Sequence, residues 1–189
     1  MGTATATDRL HFTGDAEADR LLVEEPFALL VGFALDQQVS VPRAFAAPLE
    51  LKRRIGTLDP GRVATIDPGE LDRAFRDKPA LHRFPGAMAE RVQSLAALVA
   101  EEYGGDAARL WTEARDGDDL RRRIAALPGF GEMKIRGLAS VLAKRFGVEA
   151  AAPLVPSHPT LGDVDSPEAF ERYQAAKRAY KASRRAESG

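Results

Sequence analysis

Apolar residues recur along most of this chain at the three- and four-residue spacing of a helix, and no stretch alternates at the period of two that a half-buried strand needs. From Pro85 to Tyr103, Met88, Val92, Leu95 and Val99 make one stripe with charges opposite, and Gly104-Gly105 follows as a stop. That patterning speaks against sandwiches, barrels and mixed sheets. It predicts an all-α fold.

The punctuation between helices agrees. "PFALLVGFALDQQV" (Pro26 to Val39) is dense in apolar residues and predicts a buried central helix, with Pro26 in its first turn. "PRAFAAPLELKRRIG" predicts an amphipathic helix ending at Gly56, with Pro48 as a kink or break. Asp59-Pro60 and Asp67-Pro68 each set a side-chain acceptor before a proline, and Asp67 has capping-box spacing to Glu70. "DAARLWTEAR" and "DDLRRRIAAL" read as two helices split by Gly117, with Trp111 as a core residue. A loop, "AAAPLVPSHPTLGDVD", precedes a last helix opened by Ser166-Pro167. The expected organisation is a partly flexible segment 1–20, one helical domain over 21–180, and a flexible basic tail over 181–189.

Composition narrows the chemistry. With no cysteine among 189 residues, disulfides, thiolate nucleophiles and iron–sulfur clusters are excluded. His11, His82 and His158 are too widely spaced to suggest a metal site, so no metal is expected. No apolar run approaches the roughly 20 residues of a membrane span, and the opening "MGTATATDRLHFTG" does not read as a secretory signal. A cytoplasmic monomer without membrane contact is the expectation. The formal net charge is −1, which does not advertise a nucleic-acid binder, so distribution matters more than balance. Arg121, Arg122, Arg123, Lys134, Arg136, Lys144 and Arg145 cluster about one glycine turn, and Arg172, Lys177, Arg178, Lys181, Arg184 and Arg185 follow near the end.

That turn is "IAALPGFGEMKIRGLASVL", a helix–turn–helix over 124–142 whose second helix is predicted from Glu132 to Phe146. Gly129 and Gly131 let the backbone take positive φ and approach a partner closely. Phe130 between them pins the hairpin from inside. The unpaired N–H groups of the second helix point at whatever meets the turn, and a phosphate suits them. Lys134 adds a charge, so Gly129, Phe130, Gly131 and Lys134 are the candidate DNA contacts. The plain alternative is a structural helix connection.

"LPGFGEMK" resembles the helix-hairpin-helix of the HhH-GPD superfamily of base-excision DNA glycosylases, which includes endonuclease III and 3-methyladenine glycosylase II. "ALDQQVSV" resembles the segment those enzymes use to present a glutamine to DNA, and Gln37 falls on that position. The resemblance spans roughly 26–178 and looks closest to a small cysteine-free bacterial branch. It implies a two-lobed helical fold with the base pocket between lobes, double-stranded DNA carrying a damaged base as partner, and Gln37 filling the gap left by the flipped base. It implies no iron–sulfur cluster here, and leaves room for a monovalent cation at the hairpin.

Two positions depart from the family pattern. Bifunctional members carry a lysine two residues after the second glycine, where this chain has Met133, which either lines a base pocket or packs. Lys134 lies about 100° further round and is not expected in the same pocket, which disfavours lyase chemistry. The family's aspartate position falls on "VPSH", as Pro156. Asp163 is then the candidate catalytic carboxylate, with Asp165 close by, unless both serve the last helix as caps. Asp36 is a further candidate acid and His158 a candidate base or phosphate contact, each with a surface role as the alternative. The leading expectation is a monofunctional DNA N-glycosylase. A non-catalytic DNA-binding protein on the same scaffold, and a helical scaffold with no DNA role, are the alternatives.

Overall fold

The computed structural model describes residues 7–189; positions 1–6 of the segment expected to be flexible lie outside the described residues. The helices run α1 (Ala16–Glu24), α2 (Pro26–Leu35), α3 (Val41–Ile55), α4 (Pro60–Thr65), α5 (Pro68–Arg76), α6 (Pro85–Tyr103), α7 (Arg109–Thr112), α8 (Gly117–Ala125), α9 (Glu132–Arg145) and α10 (Pro167–Glu187). Two 3-10 turns, Glu149–Leu154 and Leu161–Asp163, lie between α9 and α10. Among the described residues there is no strand, as the periodicity requires, and no helix is long and apolar enough to cross a membrane.

Most helix starts follow from local chemistry. Asp59, Asp67, Asp116 and Ser166 each accept the backbone N–H three residues on, at 2.9, 3.1, 2.8 and 3.0 Å, which satisfies an amide the helix itself leaves open. Pro26, Pro60, Pro68, Pro85 and Pro167 open their helices, where a missing N–H costs nothing. Gly56 and Gly104 end α3 and α6 in the left-handed region, at φ +80° and +61°. Pro48 neither breaks nor ends α3, and Gly117 opens α8 behind its Asp116 cap.

The chief departure lies at the end of α2. The helix expected to reach Val39 stops at Leu35, and residues 36–40 form a loop in which Gln38 takes φ +57°. Ser40 then caps α3, so the loop is bounded on both sides. Gln37 therefore stands on a loop rather than on a helix.

Every residue of α2 from Phe27 to Leu35 is buried, and α1, α3 and α6 pack around it. Gly32 makes the α2–α3 approach feasible, since a Cβ there would lie 2.4 Å from the Phe45 ring. Phe45 in turn stacks edge-on against Phe12 and Phe33, both at 5.0 Å between centroids. A second group of helices gathers on α9, which packs against α8 and both 3-10 turns. Gly162 touches the Ser140 backbone, and Gly137 of α9 faces the Phe33 ring of α2. The two groups share one hydrophobic core, with Trp111 and Phe130 inside it. α10 continues as helix through the stretch read as a tail, and only Ala169 along it is buried.

Candidate functional site

The hairpin is α8, a turn over 126–131, and α9. Its two glycines do different work. Gly129 takes φ +76°, a conformation that a Cβ disfavours, and a side chain there would come within 2.7 Å of the Arg91 guanidinium. Gly131 sits at φ −89° and ψ −173°, ordinary extended backbone with open space beside it. The expectation of positive φ at both is thus met only at Gly129. Gly131 is the N-cap of α9 and offers no side chain to the first-turn amides, which face outward with their partial positive charge. Phe130 is buried, pinning the turn from inside, so only its backbone faces the approach side.

Met133 is 83% exposed, sharing its side of α9 with Arg136, so no pocket closes round it. Lys134 turns the other way, four residues before buried Leu138 and seven before buried Val141. Its Nζ donates to the Ala34 carbonyl of α2 at 3.1 Å and lies 5.6 Å from the Phe130 ring centre. Lys134 is accordingly not a simple outward phosphate contact. α2 has no basic residue in its own last turn, and its final carbonyls are supplied from elsewhere. Leu35 O receives buried His82 Nε2 at 3.0 Å, while His82 Nδ1 accepts the Phe84 N–H at 3.0 Å. Burial keeps that imidazole below its ordinary pKa and neutral.

Lys134 shares this junction with Asp36, which is half-buried just past the end of α2. Burial, reinforced by the Arg91 charge, lowers the lysine pKa to about 8, against the opposing pull of Asp36. Burial likewise pushes the Asp36 carboxyl above its usual range, and Lys177 and Lys134 draw it part of the way back. Tyr173 of α10 lies within electrostatic reach of that carboxylate and of Asp163; burial, then Asp36 and Asp163, raise its phenol to about 12. Gln37 is exposed, and its Oε1 accepts Arg91 Nη1 at 2.8 Å. The structure thus gathers Asp36, Gln37, Arg91, Gly129, Lys134, Tyr173 and Lys177 from the α2–α3 loop, α6, the hairpin and α10.

Asp163 is engaged otherwise. Its Oδ2 accepts the Thr160 N–H at 2.9 Å in a capping box, and its Oδ1 pairs with Lys144. Burial alone would raise its pKa, but Lys144 and the Thr160 amide outweigh that and hold it below the usual range. Asp165 is exposed, and His158 stacks on Tyr180 at 6.1 Å, outside the gathered group. Asp36, rather than Asp163, is therefore the carboxylate beside the hairpin lysine.

Among known proteins, the chain matches no family model, no curated protein and no solved structure at a significant level.

The basic residues flanking the turn are largely paired with carboxylates of the same two helices. Arg121 and Arg136 both bind Glu132, whose carboxyl they hold below the usual range. Arg122 and Arg123 converge on buried Asp119. Arg91 and Tyr173 were invisible to sequence reading as site residues. Each sits on one helix as an ordinary polar-face or stripe position, and only packing brings Arg91 to Gln37 and Tyr173 within reach of the Asp36 charge. Among the described residues no group of acidic or histidine side chains is arranged to hold a metal.

Proposed function

We propose that this protein binds duplex DNA at the Gly129–Gly131 hairpin, draws a damaged base out of the stack and hydrolyses its N-glycosidic bond. The reading takes α1–α6 and α7–α10 as the two lobes of an HhH-GPD fold acting as a monomer. One observation carries it: a carboxylate, Asp36, and an amine, Lys134, share a half-buried junction beside a helix N-terminus whose amides have no side-chain cap. A phosphate seated on those amides positions the strand. Asp36 then accepts a proton from water as the water oxygen bonds to C1′, and the C1′–N bond breaks with its electron pair leaving on the base. The carboxylate also offsets the positive charge that develops on the sugar. Gln37, held by Arg91, occupies the vacated stack.

A second reading is favoured by the lysine itself. An amine with a pKa of about 8 keeps roughly a tenth to a fifth of its population neutral near physiological pH. That neutral form attacks C1′ as the base leaves with the C1′–N electron pair; the amine then gives up its protons to water, the C1′–O4′ bond opens onto a protonated O4′, and a Schiff base remains. Met133 does not bear on this, because Lys134 is the residue turned inward.

One assay separates these readings. Purified protein is incubated with duplexes each carrying uracil, hypoxanthine, an alkylated purine or an oxidised base, with and without alkali and borohydride. Scission only after alkali, lost in Asp36→Asn, supports the hydrolase. Scission without alkali and a borohydride adduct, both lost in Lys134→Met and rising through pH 8, support the amine route. Duplex binding with no scission on any lesion overturns catalysis and leaves a DNA-binding protein.

A further inference from the structure

The sequence places basic residues at both the hairpin and the last helix, and most of the hairpin group is already paired. Arg121, Arg122, Arg123, Arg136 and Lys144 all have carboxylate partners. Among the described residues, no ion pair engages Lys177, Arg178, Lys181, Arg184 or Arg185 of α10. All five are exposed. At about 100° per residue they fall within an arc of about 120° on the helix. The opposite side carries Ala175, Ala179, Ala182 and Ala186, with Arg172, nearer the start of the helix, as its one basic residue. A solvated basic helix has no need of such sorting. The charge here is aimed.

The stripe is also continuous with the candidate site. α10 is held to the body at its start by Ala169, Phe170 and Tyr173, and near its middle by the His158–Tyr180 stack. Lys177 Nζ lies 5.8 Å from the Tyr173 ring centre, and the charge of Asp36 acts on both residues. Lys181 and Arg184 carry the same side of the helix onward past the body. From Lys177 to Arg185 the stripe rises about 12 Å, a distance along which duplex DNA presents about seven phosphate charges.

We infer that the outer stripe of α10 is a phosphate-tracking arm for the duplex that the hairpin holds, extending the footprint along the backbone without reading bases. The inference rests on the DNA reading above. Positive charge held on one side of a rigid helix over about 12 Å complements the continuous phosphate backbone of a duplex better than an acidic peptide, whose charges follow no fixed pitch.

The test compares the intact chain with two triple variants in fluorescence-anisotropy titrations on a labelled duplex of about 20 base pairs at several salt concentrations. One variant joins Arg178→Ala, Lys181→Ala and Arg185→Ala; the other removes equal charge elsewhere, through Arg20→Ala, Arg62→Ala and Arg73→Ala. Alanine favours helix, and circular dichroism confirms that both remain folded. The arm predicts that the slope of log K against log salt falls by about three for the first variant and stays near wild type for the second. An unchanged slope in the first, or an equal fall in both, overturns the arm while leaving the hairpin reading intact. No duplex binding by the wild type overturns both, as does binding only to phosphatidylserine vesicles. Binding lost in the first triple but kept when Gly131→Asp blocks the hairpin upholds the arm and overturns the hairpin.

Discussion

Arg91 holds Gln37. Its Nη1 reaches Gln37 Oε1 at 2.8 Å across 54 positions of chain, and the same guanidinium fills the space that a side chain at Gly129 would need. One cation on α6 thus sets the spacing between the α2–α3 loop and the hairpin turn. Arg121, Arg122, Arg123 and Arg136 of α8 and α9 are committed instead to Glu132 and Asp119.

The two hairpin glycines are predicted to respond oppositely to substitution. Gly129→Ala forces a Cβ into φ +76° and against Arg91, costing about 1–2 kcal/mol, or roughly 2–8 °C in Tm. Gly131→Asp meets open space and gains a capping acceptor, so Tm holds or rises. Its charge stands where a phosphate would sit, and duplex affinity falls at least tenfold. Thermal melts and anisotropy on both variants check this; equal melting losses at the two positions would contradict it.

Lys134 makes stability depend on pH in a stated direction. Its folded pKa is about 8 and its ordinary value 10.5, so between those the unfolded chain binds more protons and stability rises with pH. Lys134→Met lacks that gain. Urea denaturation should show wild type improving relative to the variant from pH 7.5 to 10. A gap that stays constant over that range means the amine is not depressed.

Glu132 is predicted to restrain DNA binding. Its carboxylate lies in the first turn of α9, where an incoming phosphate would meet it, and it neutralises Arg121 and Arg136. Glu132→Gln removes only exposed pairs, so little stability is lost. Duplex affinity at low salt should increase and its salt slope steepen, by titration as above. Weaker binding would assign Glu132 a positioning role instead.

Gly162 tests how tightly the second helical group is assembled. A Cβ there would lie 2.5 Å from the Ser140 carbonyl oxygen, which is backbone and has little freedom to yield. Gly162→Ala should cost about 1–3 kcal/mol by overpacking, read as a lower urea midpoint. A wild-type midpoint would mean that the Leu161–Asp163 turn shifts off α9 without penalty.

What the sequence made legible was mostly local. Asp59, Asp67 and Ser166 announce their helices because a cap and its amide lie three residues apart, and the all-helical class follows from spacing alone. The hairpin was legible for the same reason. The end of α2 was not, since "ALDQQV" stays helix-compatible by pattern and stops at Leu35 through the loop to the Ser40 cap. The direction of Lys134 lay within reach: its register with Leu138 and Val141 puts it at the head of the buried stripe, a signal that counting from the glycines obscured. Asp163, the candidate carboxylate of the sequence, caps its own 3-10 turn and pairs with Lys144; chain distance cannot tell such a local capping box from a residue turned toward the hairpin. Arg91 and Tyr173 depend on how α6 and α10 settle against α2, and no short-range pattern encodes that.

The bond from Lys134 to Ala34 also bears on how the molecule comes together. The most deeply buried helix is completed by a donor 100 positions downstream, so its last turn stays unfinished until most of the chain has been made and folded back. Closing so long a loop is an entropically late event. The same late contact assembles the junction with Asp36. A nascent or truncated chain therefore carries the helix without the junction, which exists only once α2 and α9 are both present.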